Sequence, residues 1–456
     1  MAAALDELFS SSQLRRDDEA LSTYGQDWTR LATPAPSAVV FPKHLDEVRE
    51  LVTLARREKL ALVPSGGRTG LSGGAVAAHG EVVVSFEKMN RILDFDPSDR
   101  LATCQAGVVT AALQAFATEQ NLSYPVDFAS AGSSCIGGNI ATNAGGIKVI
   151  RYGLTRDWVA GLRVVTGSGE LLTLNQGLVK NATGYDLRHL FIGSEGTLGL
   201  IVEADMRLAP APAPQQVMVL GVPRVTDLLA VLRSFSARLT LSAFEFFSQL
   251  CLDKVRAHRE LAAPLSEPAP FYALLEYDEA ESDAAMAAFE AALEAGLVTD
   301  GVVSASDSQA RALWALREGI SEAIAPELPY KNDLSVRISQ VPEFLAEIDA
   351  LVADGYPDFE VCWYGHIGDG NLHLNILKPP SLDKETFFAR CHDMSPRIFA
   401  AVAQRNGSIS AEHGVGLLKQ PFLGFSRSAP EIDYMARLKQ VFDPDQILNP
   451  GKLLPG

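Results

Sequence analysis

The stretch Pro64-Ser65-Gly66-Gly67-Arg68-Thr69-Gly70-Leu71-Ser72-Gly73-Gly74, called loop one here, follows a predicted strand over 60–63. Because glycine has no Cβ, consecutive glycines let backbone N–H groups approach an anion such as a pyrophosphate closely. Loop one matches neither the G-x-G-x-x-G dinucleotide fingerprint nor the Walker loop. A tight turn also favours glycine, so this stretch alone would be a weak sign of a ligand.

Two more glycine-rich stretches strengthen that interpretation. Loop two covers 132–139 and 142–146, and loop three covers 193–199. Three such loops in the first half of the chain favour one large, extended ligand over three unrelated turns.

Hydrophobic periodicity predicts the elements around these loops. One face of a predicted helix carries Leu45, Val48, Val52 and Ala55. A linker is predicted over 207–214, where Ala and Pro alternate. Beyond the linker, strands alternate with alanine-rich helices, an α+β pattern. The other elements predicted are strands over 82–86, 101–106 and 271–276, a strand pair over 161–174, and helices over 110–120, 281–295, 308–325 and 341–353.

Composition excludes several classes of protein. At 456 residues the chain exceeds one ordinary core, so two or three domains are expected. The net charge of -17 argues against binding to nucleic acid or to an anionic membrane surface. The 5 cysteines are scattered and match neither a disulfide framework nor a cysteine zinc site. No signal peptide or membrane span is predicted, so a cytoplasmic location is expected.

Gly365-His366-Ile367-Gly368-Asp369-Gly370-Asn371-Leu372-His373 predicts a β-hairpin turning at Asp369-Gly370. With that turn, His366 lies directly opposite His373, with Cβ atoms roughly 5 Å apart on one face. Two imidazoles so placed can bind one metal ion. Glu412 and His413 could add a carboxylate and a base. The alternatives are a stacked histidine pair and a surface turn at 412–413.

Loop one, the run 136–146 and the segment 184–197 resemble the FAD domain of the vanillyl-alcohol oxidase / p-cresol methylhydroxylase superfamily. The histidine pair, Glu412-His413-Gly414 and Leu448-Asn449-Pro450 resemble its FAD-linked D-2-hydroxyacid dehydrogenase branch. The resemblance implies a two-subdomain FAD-binding domain and an α+β substrate (cap) domain. The expected boundaries are a leader over 1–36, the FAD domain over 37–212, the cap over 213–409, and a C-terminal segment over 410–456 that completes the active site and packs back on the FAD domain.

By resemblance, loops one and two hold the FAD pyrophosphate, loop three lies near the adenine and ribose, and Asn449 lies near the flavin ring. Loop one carries Arg68 and no histidine, so non-covalent FAD is expected. The residues assigned to FAD are Pro64, Ser65, Gly66, Gly67, Arg68, Thr69, Gly70, Gly73, Pro125, Gly132, Ser133, Ser134, Gly137, Gly138, Asn139, Thr142, Gly145, Gly146, Glu195, Gly196, Gly199, Ile201 and Asn449.

The predicted metal ligands are His366, His373 and Glu412, for Zn²⁺ or else Mn²⁺ or Co²⁺. His413 is the expected general base, since the ordinary pKa of histidine, about 6.5, suits that role. Asn375 lies two residues after His373, on the same strand face, and could bind the substrate carboxylate. A solvent-facing amide is the alternative for Asn375.

A predicted helix over 309–325 places Arg317 on the same stripe as Leu313 and Ile320, where a charge needs a partner. The distal carboxylate of a diacid would supply that partner. The alternative is that Arg317 reaches the surface or pairs with Glu318 or Glu322. By resemblance, Arg317, Ser321 and Lys331 match the residues that hold this carboxylate, with serine replacing the expected threonine at 321.

Within the branch, the motifs most resemble members that oxidise D-2-hydroxyglutarate to 2-oxoglutarate. The resemblance implies hydride transfer to flavin N5 and re-oxidation by an electron-transfer flavoprotein or a quinone route. The alternatives are a D-lactate or D-malate dehydrogenase of the same branch, or a flavin-binding electron-transfer subunit. A homodimer is compatible with the sequence.

Overall fold

The computed structural model describes residues 2–30 and 32–455, with only the backbone of Ala2. The chain divides into two compact units. The first unit comprises the residues up to Gly145, Gly153–Ala211 and the residues from Glu412 onward, and the second comprises Gly146–Tyr152 and Pro212–Ala411. The passage between Ala211 and Pro212 falls inside the predicted linker. The segment 146–152, which the predicted boundaries assign to the FAD domain, belongs to the second unit.

The first unit contains a four-stranded sheet in the order β1-β2-β4-β3, a five-stranded antiparallel sheet in the order β5-β6-β10-β8-β9, and the pair β11-β7. Its strands are β1 (Leu14–Arg15), β2 (Ala38–Val40), β3 (Leu62–Ser65), β4 (Val82–Ser85), β5 (Ile92–Asp96), β6 (Leu101–Gln105), β7 (Leu122–Ser123), β8 (Val159–Thr166), β9 (Leu171–Leu174), β10 (Gly199–Arg207) and β11 (Ala209–Pro210).

The second unit is built on a seven-stranded antiparallel sheet in the order β15-β12-β14-β13-β17-β18-β16. Its strands are β12 (Gln215–Val222), β13 (Leu241–Ser248), β14 (Phe271–Asp278), β15 (Asp300–Val303), β16 (Tyr330–Ser335), β17 (Val361–Gly365) and β18 (Asn371–Ile376).

Helices pack against the sheets of both units, and α6 and α9 to α15 belong to the second unit. The α-helices are α1 (Ala2–Leu8), α2 (Asp18–Tyr24), α3 (Leu45–Glu58), α4 (Thr110–Glu119), α5 (Ile136–Thr142), α6 (Val149–Tyr152), α7 (Thr155–Trp158), α8 (Arg188–Phe191), α9 (Leu228–Ser236), α10 (Gln249–Arg259), α11 (Ser282–Glu294), α12 (Asp307–Glu318), α13 (Ile320–Ala323), α14 (Val341–Gly355), α15 (Lys384–Gln404) and α16 (Ala429–Phe442). The 3₁₀ helices are Phe86–Lys88, Val225–Asp227, Glu279–Glu281, Ala325–Glu327, Ile338–Gln340 and Gln420–Phe425.

Helix α3 illustrates how the sequence forms these elements. Val48, Leu51, Val52 and Ala55 recur at helical spacing and are all buried against the four-stranded sheet. Acidic residues occupy its first turn and basic residues its last, which complements the helix dipole. The α+β class and this helix are confirmed.

The residues predicted as a leader form a strand and part of the hydrophobic core of the first unit. Leu14 and Arg15 in β1 pair antiparallel with Val40 and Val39 of β2, and Leu5 and Phe9 join the core that α3 covers. The residues predicted as a leader over 1–36 therefore contribute apolar side chains to this core. In the predicted linker, Ala209 and Pro210 form a two-residue ladder with Ser123 and Leu122.

The helix predicted over 309–325 is interrupted. Helix α12 ends at Glu318 and α13 begins at Ile320. A Cβ on Gly319 would lie 3.2 Å from Val255 of α10, so the chain passes close to that helix at the break. The predicted stripe nevertheless holds, because Leu313, Arg317, Ile320 and Ile324 are all buried.

No helix within residues 2–30 and 32–455 combines the length and the apolarity needed to cross a bilayer. All 5 cysteines are buried free thiols, as the absence of a disulfide framework predicts.

Replacing Leu51 with alanine tests the core of the first unit. Leu51 is fully buried, so Leu51→Ala should lower the free energy of unfolding by about 2–5 kcal/mol, measured by urea denaturation. The control is Leu93→Ala, at a position with 41% exposure, which should change that free energy by less than about 0.5 kcal/mol. Equal losses in both variants would contradict the core described here.

Candidate functional site

The three glycine loops converge within the first unit. A Cβ on Gly67 would lie 1.9 Å from the Ser133 carbonyl oxygen, so loops one and two touch through their backbones. Gly196 has a φ of +71°, and its Cβ would meet Pro64 Cγ at 2.4 Å, which places loop three against loop one. Glu195 N donates to Ala141 O at 2.8 Å. The loops therefore form one continuous surface.

All the residues assigned to FAD lie in the first unit except Gly146. Ser65 ends strand β3, and Gly199 and Ile201 lie on β10. Ser65 Oγ and Asn449 Oδ1 are buried, and neither has a hydrogen-bond partner among the described residues. Buried polar atoms normally have a hydrogen-bond partner, and a polar ligand bound against these loops would supply one to each atom.

Several side chains assigned to FAD are engaged by the protein. Asn139 Nδ2 donates to Thr110 Oγ1 at 2.7 Å, and Ser134 Oγ shares a 2.7 Å hydrogen bond with the same oxygen. Thr142 Oγ1 donates to the Gly138 carbonyl oxygen at 3.1 Å. These side-chain hydrogen bonds fix the conformation of loop two and α5.

Glu195 is held in an unusual environment. Its φ is +53° and its carboxylate accepts hydrogen bonds from Val415 N at 2.7 Å and Gly416 N at 2.8 Å. Burial raises the pKa of the Glu195 carboxyl, and the two backbone donors oppose that rise. Asn449 Nδ2 donates to the Glu195 carbonyl oxygen at 2.7 Å and to that of Gly74 at 2.9 Å. Glu195 therefore holds the segment that follows Glu412-His413-Gly414 against loops one and three.

Glu412 and His413 are both partly buried at the start of this segment. The distance from Glu412 Oε1 to His413 Nε2 is 3.8 Å. The residues immediately before them belong to the second unit, where Ser410 pairs with Asp333 of β16 and Ala411 N donates to the Asp333 carbonyl oxygen at 3.2 Å.

The predicted hairpin forms with a different register. His373 lies opposite Tyr364, so the predicted direct pairing of His373 with His366 is wrong. The connection between β17 and β18 spans 366–370 because Gly368 N donates to the Phe244 carbonyl oxygen, and Gly370 O accepts from Val336 N. A shift of two residues preserves the strand face, so both histidines remain on one side.

The two imidazoles lie close together and are buried. Their ring centroids are 5.2 Å apart with an interplanar angle of 84°. His366 Nδ1 lies 2.8 Å from Glu245 Oε1, and His373 Nδ1 lies 3.5 Å from Asp333 Oδ1. Sequence reasoning missed both carboxylates. A charged residue inside the apolar strand Ala243-Phe244-Glu245-Phe246-Phe247 was a signal that could have found Glu245.

Arg317 has a carboxylate partner inside the protein. Its Nη2 lies 2.7 Å from Glu245 Oε2, both side chains are buried, and the guanidinium carbon lies 4.8 Å from the Tyr364 ring centroid. Glu245 therefore provides a carboxylate partner for Arg317 within the protein. Arg317 does not reach the surface, and Glu322 pairs with Arg259 and His258.

Lys331 and Asn375 lie on one face of the sheet, and Ser321 of α13 contacts Lys331 there. Lys331 Nζ donates to Ser321 Oγ at 2.9 Å, and Lys331 pairs with Asn375 across β16 and β18. Burial lowers the pKa of the Lys331 ammonium to about 8. Asn375 is 1% exposed and its Nδ2 has no hydrogen-bond partner among the described residues. These donors suit a carboxylate ligand.

Two family models match the chain. One, described as an FAD binding domain, matches residues 36–175, and the other, described as FAD linked oxidases, C-terminal domain, matches residues 211–453. The second match covers more than half of the chain.

The chain belongs to the FAD-linked oxidases.

Relatives that match along nearly the whole chain support this membership. D-2-hydroxyglutarate dehydrogenase of Stutzerimonas stutzeri (strain A1501) is 57% identical over 457 residues, which cover 99% of this chain and 98% of the relative. The protein of that name from Xanthomonas citri pv. viticola is 55% identical, covering 99% and 96%. The mitochondrial protein of that name from Bos taurus is 38% identical, covering 96% and 80%.

Solved structures share the fold. Substrate-bound p-cresol methylhydroxylase gives a TM-score of 0.80 at 15% identity, covering 99% of this chain and 96% of that one. The 4-ethylphenol oxidase of Gulosibacter chungangensis, in its isoeugenol complex, gives 0.77 at 18% identity, covering 100% and 97%. The predicted p-cresol methylhydroxylase-type FAD-binding fold with a C-terminal α+β domain is confirmed.

Glu195→Ala tests whether this carboxylate holds the C-terminal segment. Because two charge-assisted hydrogen bonds are lost, amide hydrogen exchange at Val415 and Gly416 should accelerate by about 10–100-fold. The control is Glu81→Ala, another buried glutamate of the first unit, which should leave exchange at these two amides unchanged. Loss of FAD without faster exchange would instead indicate that Glu195 contacts the cofactor directly.

Proposed function

We propose that this protein oxidises D-2-hydroxyglutarate to 2-oxoglutarate with FAD and a divalent metal ion. The main support for the proposal is the half-buried cation Lys331, which lies with Asn375 on the sheet face of the two histidines and donates to Ser321. This arrangement offers one place for a distal carboxylate and another for the reacting hydroxyl. The names of the relatives above agree with this substrate.

Residues of loops one, two and three would hold non-covalent FAD, since loop one carries Arg68 where a covalent linkage would need histidine. The buried atoms Ser65 Oγ and Asn449 Oδ1 fit a polar ligand at these loops. Bound FAD supplies the hydride acceptor at N5 and a route for electrons to an electron-transfer flavoprotein or a quinone.

His366, His373 and Glu412 would hold the metal, Zn²⁺ or else Mn²⁺ or Co²⁺. Ligand atoms of His373 and Asp333 lie within 4.8 Å of each other, and so do those of Glu412 and His413. Ala411 N donates to the Asp333 carbonyl oxygen, and Glu412 is the next residue in the chain. A bound divalent ion supplies orientation of the hydroxyl and α-carboxylate oxygens and a lowered hydroxyl pKa.

The side chains of this protein would then have distinct roles in the reaction. An imidazole nitrogen of His413 takes the hydroxyl proton as the hydride leaves Cα. Lys331, Ser321 and Arg317 bind the distal carboxylate, and Asn375 donates its amide N–H to a substrate oxygen. Burial of Arg317 and Asn375 limits their contact with water and strengthens their polar contacts.

Glu412→Gln tests the metal site. Loss of the carboxylate charge should remove bound metal and reduce turnover of D-2-hydroxyglutarate by at least about 100-fold, while the yellow FAD stays bound. Metal analysis and the flavin spectrum of the purified variant measure both. Glu431→Gln, at an exposed helix-capping glutamate, serves as the control. Loss of FAD with metal retained would count against the assignment.

The pH dependence of kcat/KM tests Lys331. Its pKa of about 8 means that the ammonium loses its proton as pH rises through that value. Because only the cation attracts a distal carboxylate, kcat/KM for D-2-hydroxyglutarate should fall above pH ~8. D-lactate lacks this carboxylate, so its kcat/KM should lack that decline.

Lys331→Met provides the corresponding variant. It should raise KM for D-2-hydroxyglutarate by about 10–100-fold, the cost of a charged hydrogen bond, and leave KM for D-lactate unchanged. Lys254→Met is the control, because Lys254 pairs with Glu327 and Glu360 instead. Equal effects of Lys331→Met on the two substrates would refute the role of Lys331.

A further inference from the structure

Glu245 contacts both Arg317 and His366 in the second unit, yet no role follows for it from the reaction itself. It is 1% exposed on the central strand β13. Its cross-strand partner on β14 is the apolar Leu274. Burial of a carboxylate among apolar side chains costs free energy unless the carboxylate has polar partners. Glu245 has two such partners.

The first contact fixes the tautomer of His366. Glu245 Oε1 lies 2.8 Å from His366 Nδ1. An ionised carboxylate can only accept a hydrogen bond, so Nδ1 carries the proton and Nε2 of the neutral ring carries the lone pair. The rings of His366 and His373 lie edge to face, with an interplanar angle of 84° and 5.2 Å between their centroids. Nε2 is therefore the nitrogen of His366 that can bind a metal.

The second contact ties Arg317 to the same carboxylate. Glu245 Oε2 lies 2.7 Å from Arg317 Nη2, and the guanidinium lies over the Tyr364 ring. The two oxygens of one side chain therefore connect a metal-binding histidine with an anion-binding arginine.

We propose that Glu245 is a positioning residue that orients His366 for the metal ion while anchoring Arg317. The proposal rests on the metal site proposed above. Glu245 itself touches neither substrate nor metal. Carboxylates that orient a metal-binding histidine in this way typically contribute about 10–100-fold to metal affinity.

The test measures the affinity of the FAD-loaded protein for Zn²⁺ by isothermal titration calorimetry, after removal of metal with a chelator and in the absence of substrate. Glu245→Gln should raise the Zn²⁺ dissociation constant by about 10–100-fold with FAD content unchanged. Glu276→Gln is the matched control. Glu276 is also a buried glutamate of this sheet, but it pairs with Lys148 and Trp314.

Glu245→Gln leaves the buried charge of Arg317 without its carboxylate partner, so this variant could fail to fold. In that case the double variant Glu245→Gln/Arg317→Met, in which both side chains are uncharged, replaces it. It should show the same weakening of Zn²⁺ binding. Wild-type affinity in the folded Glu245 variant, with affinity lost in Glu412→Gln, would overturn the role of Glu245 alone. Zn²⁺ binding that is absent from the wild type, or equal in all variants including Glu412→Gln, would overturn the metal site itself.

Discussion

The buried carboxylate of Glu245 imposes the main constraint on the second unit. It contacts Arg317 at 2.7 Å and His366 at 2.8 Å, and all three side chains are buried. Loss of one member of such a group leaves a buried charge without compensation, which typically costs about 3–5 kcal/mol. Strand β13, helix α12 and the end of strand β17 are therefore fixed relative to one another by electrostatics as well as by apolar packing.

In the first unit, backbone contacts between the glycine loops fix the positions of the loops relative to one another. Gly67 and Gly196 allow approaches that any Cβ would block, so the three loops meet although they are far apart in sequence. The Glu195 carboxylate then attaches the backbone after His413 to this surface. One buried residue thus links the region expected to bind FAD with the segment that carries the proposed base.

The sequence predicts the parts of this protein that depend on local pattern. Helix α3 follows from the spacing of its buried residues, and the burial of Arg317 follows from its position on an apolar stripe. The hairpin register could not be predicted, because it depends on contacts of the loop with Phe244 and Val336. The partner of Arg317 was missed for the same reason, since Glu245 lies on another strand distant in sequence. The family resemblance identified the fold correctly, while the register of the site depends on tertiary contacts.

The central claim is that a metal ion and FAD act on one 2-hydroxy diacid. The most direct measurement is anaerobic stopped-flow mixing of the oxidised protein with D-2-hydroxyglutarate, following flavin absorbance with the metal removed and then restored. The flavin should bleach rapidly with metal present, at least about 100-fold more slowly after metal removal, and rapidly again when Zn²⁺, Mn²⁺ or Co²⁺ is added. Bleaching at the same rate without metal, or none under any of these conditions, would contradict the central claim.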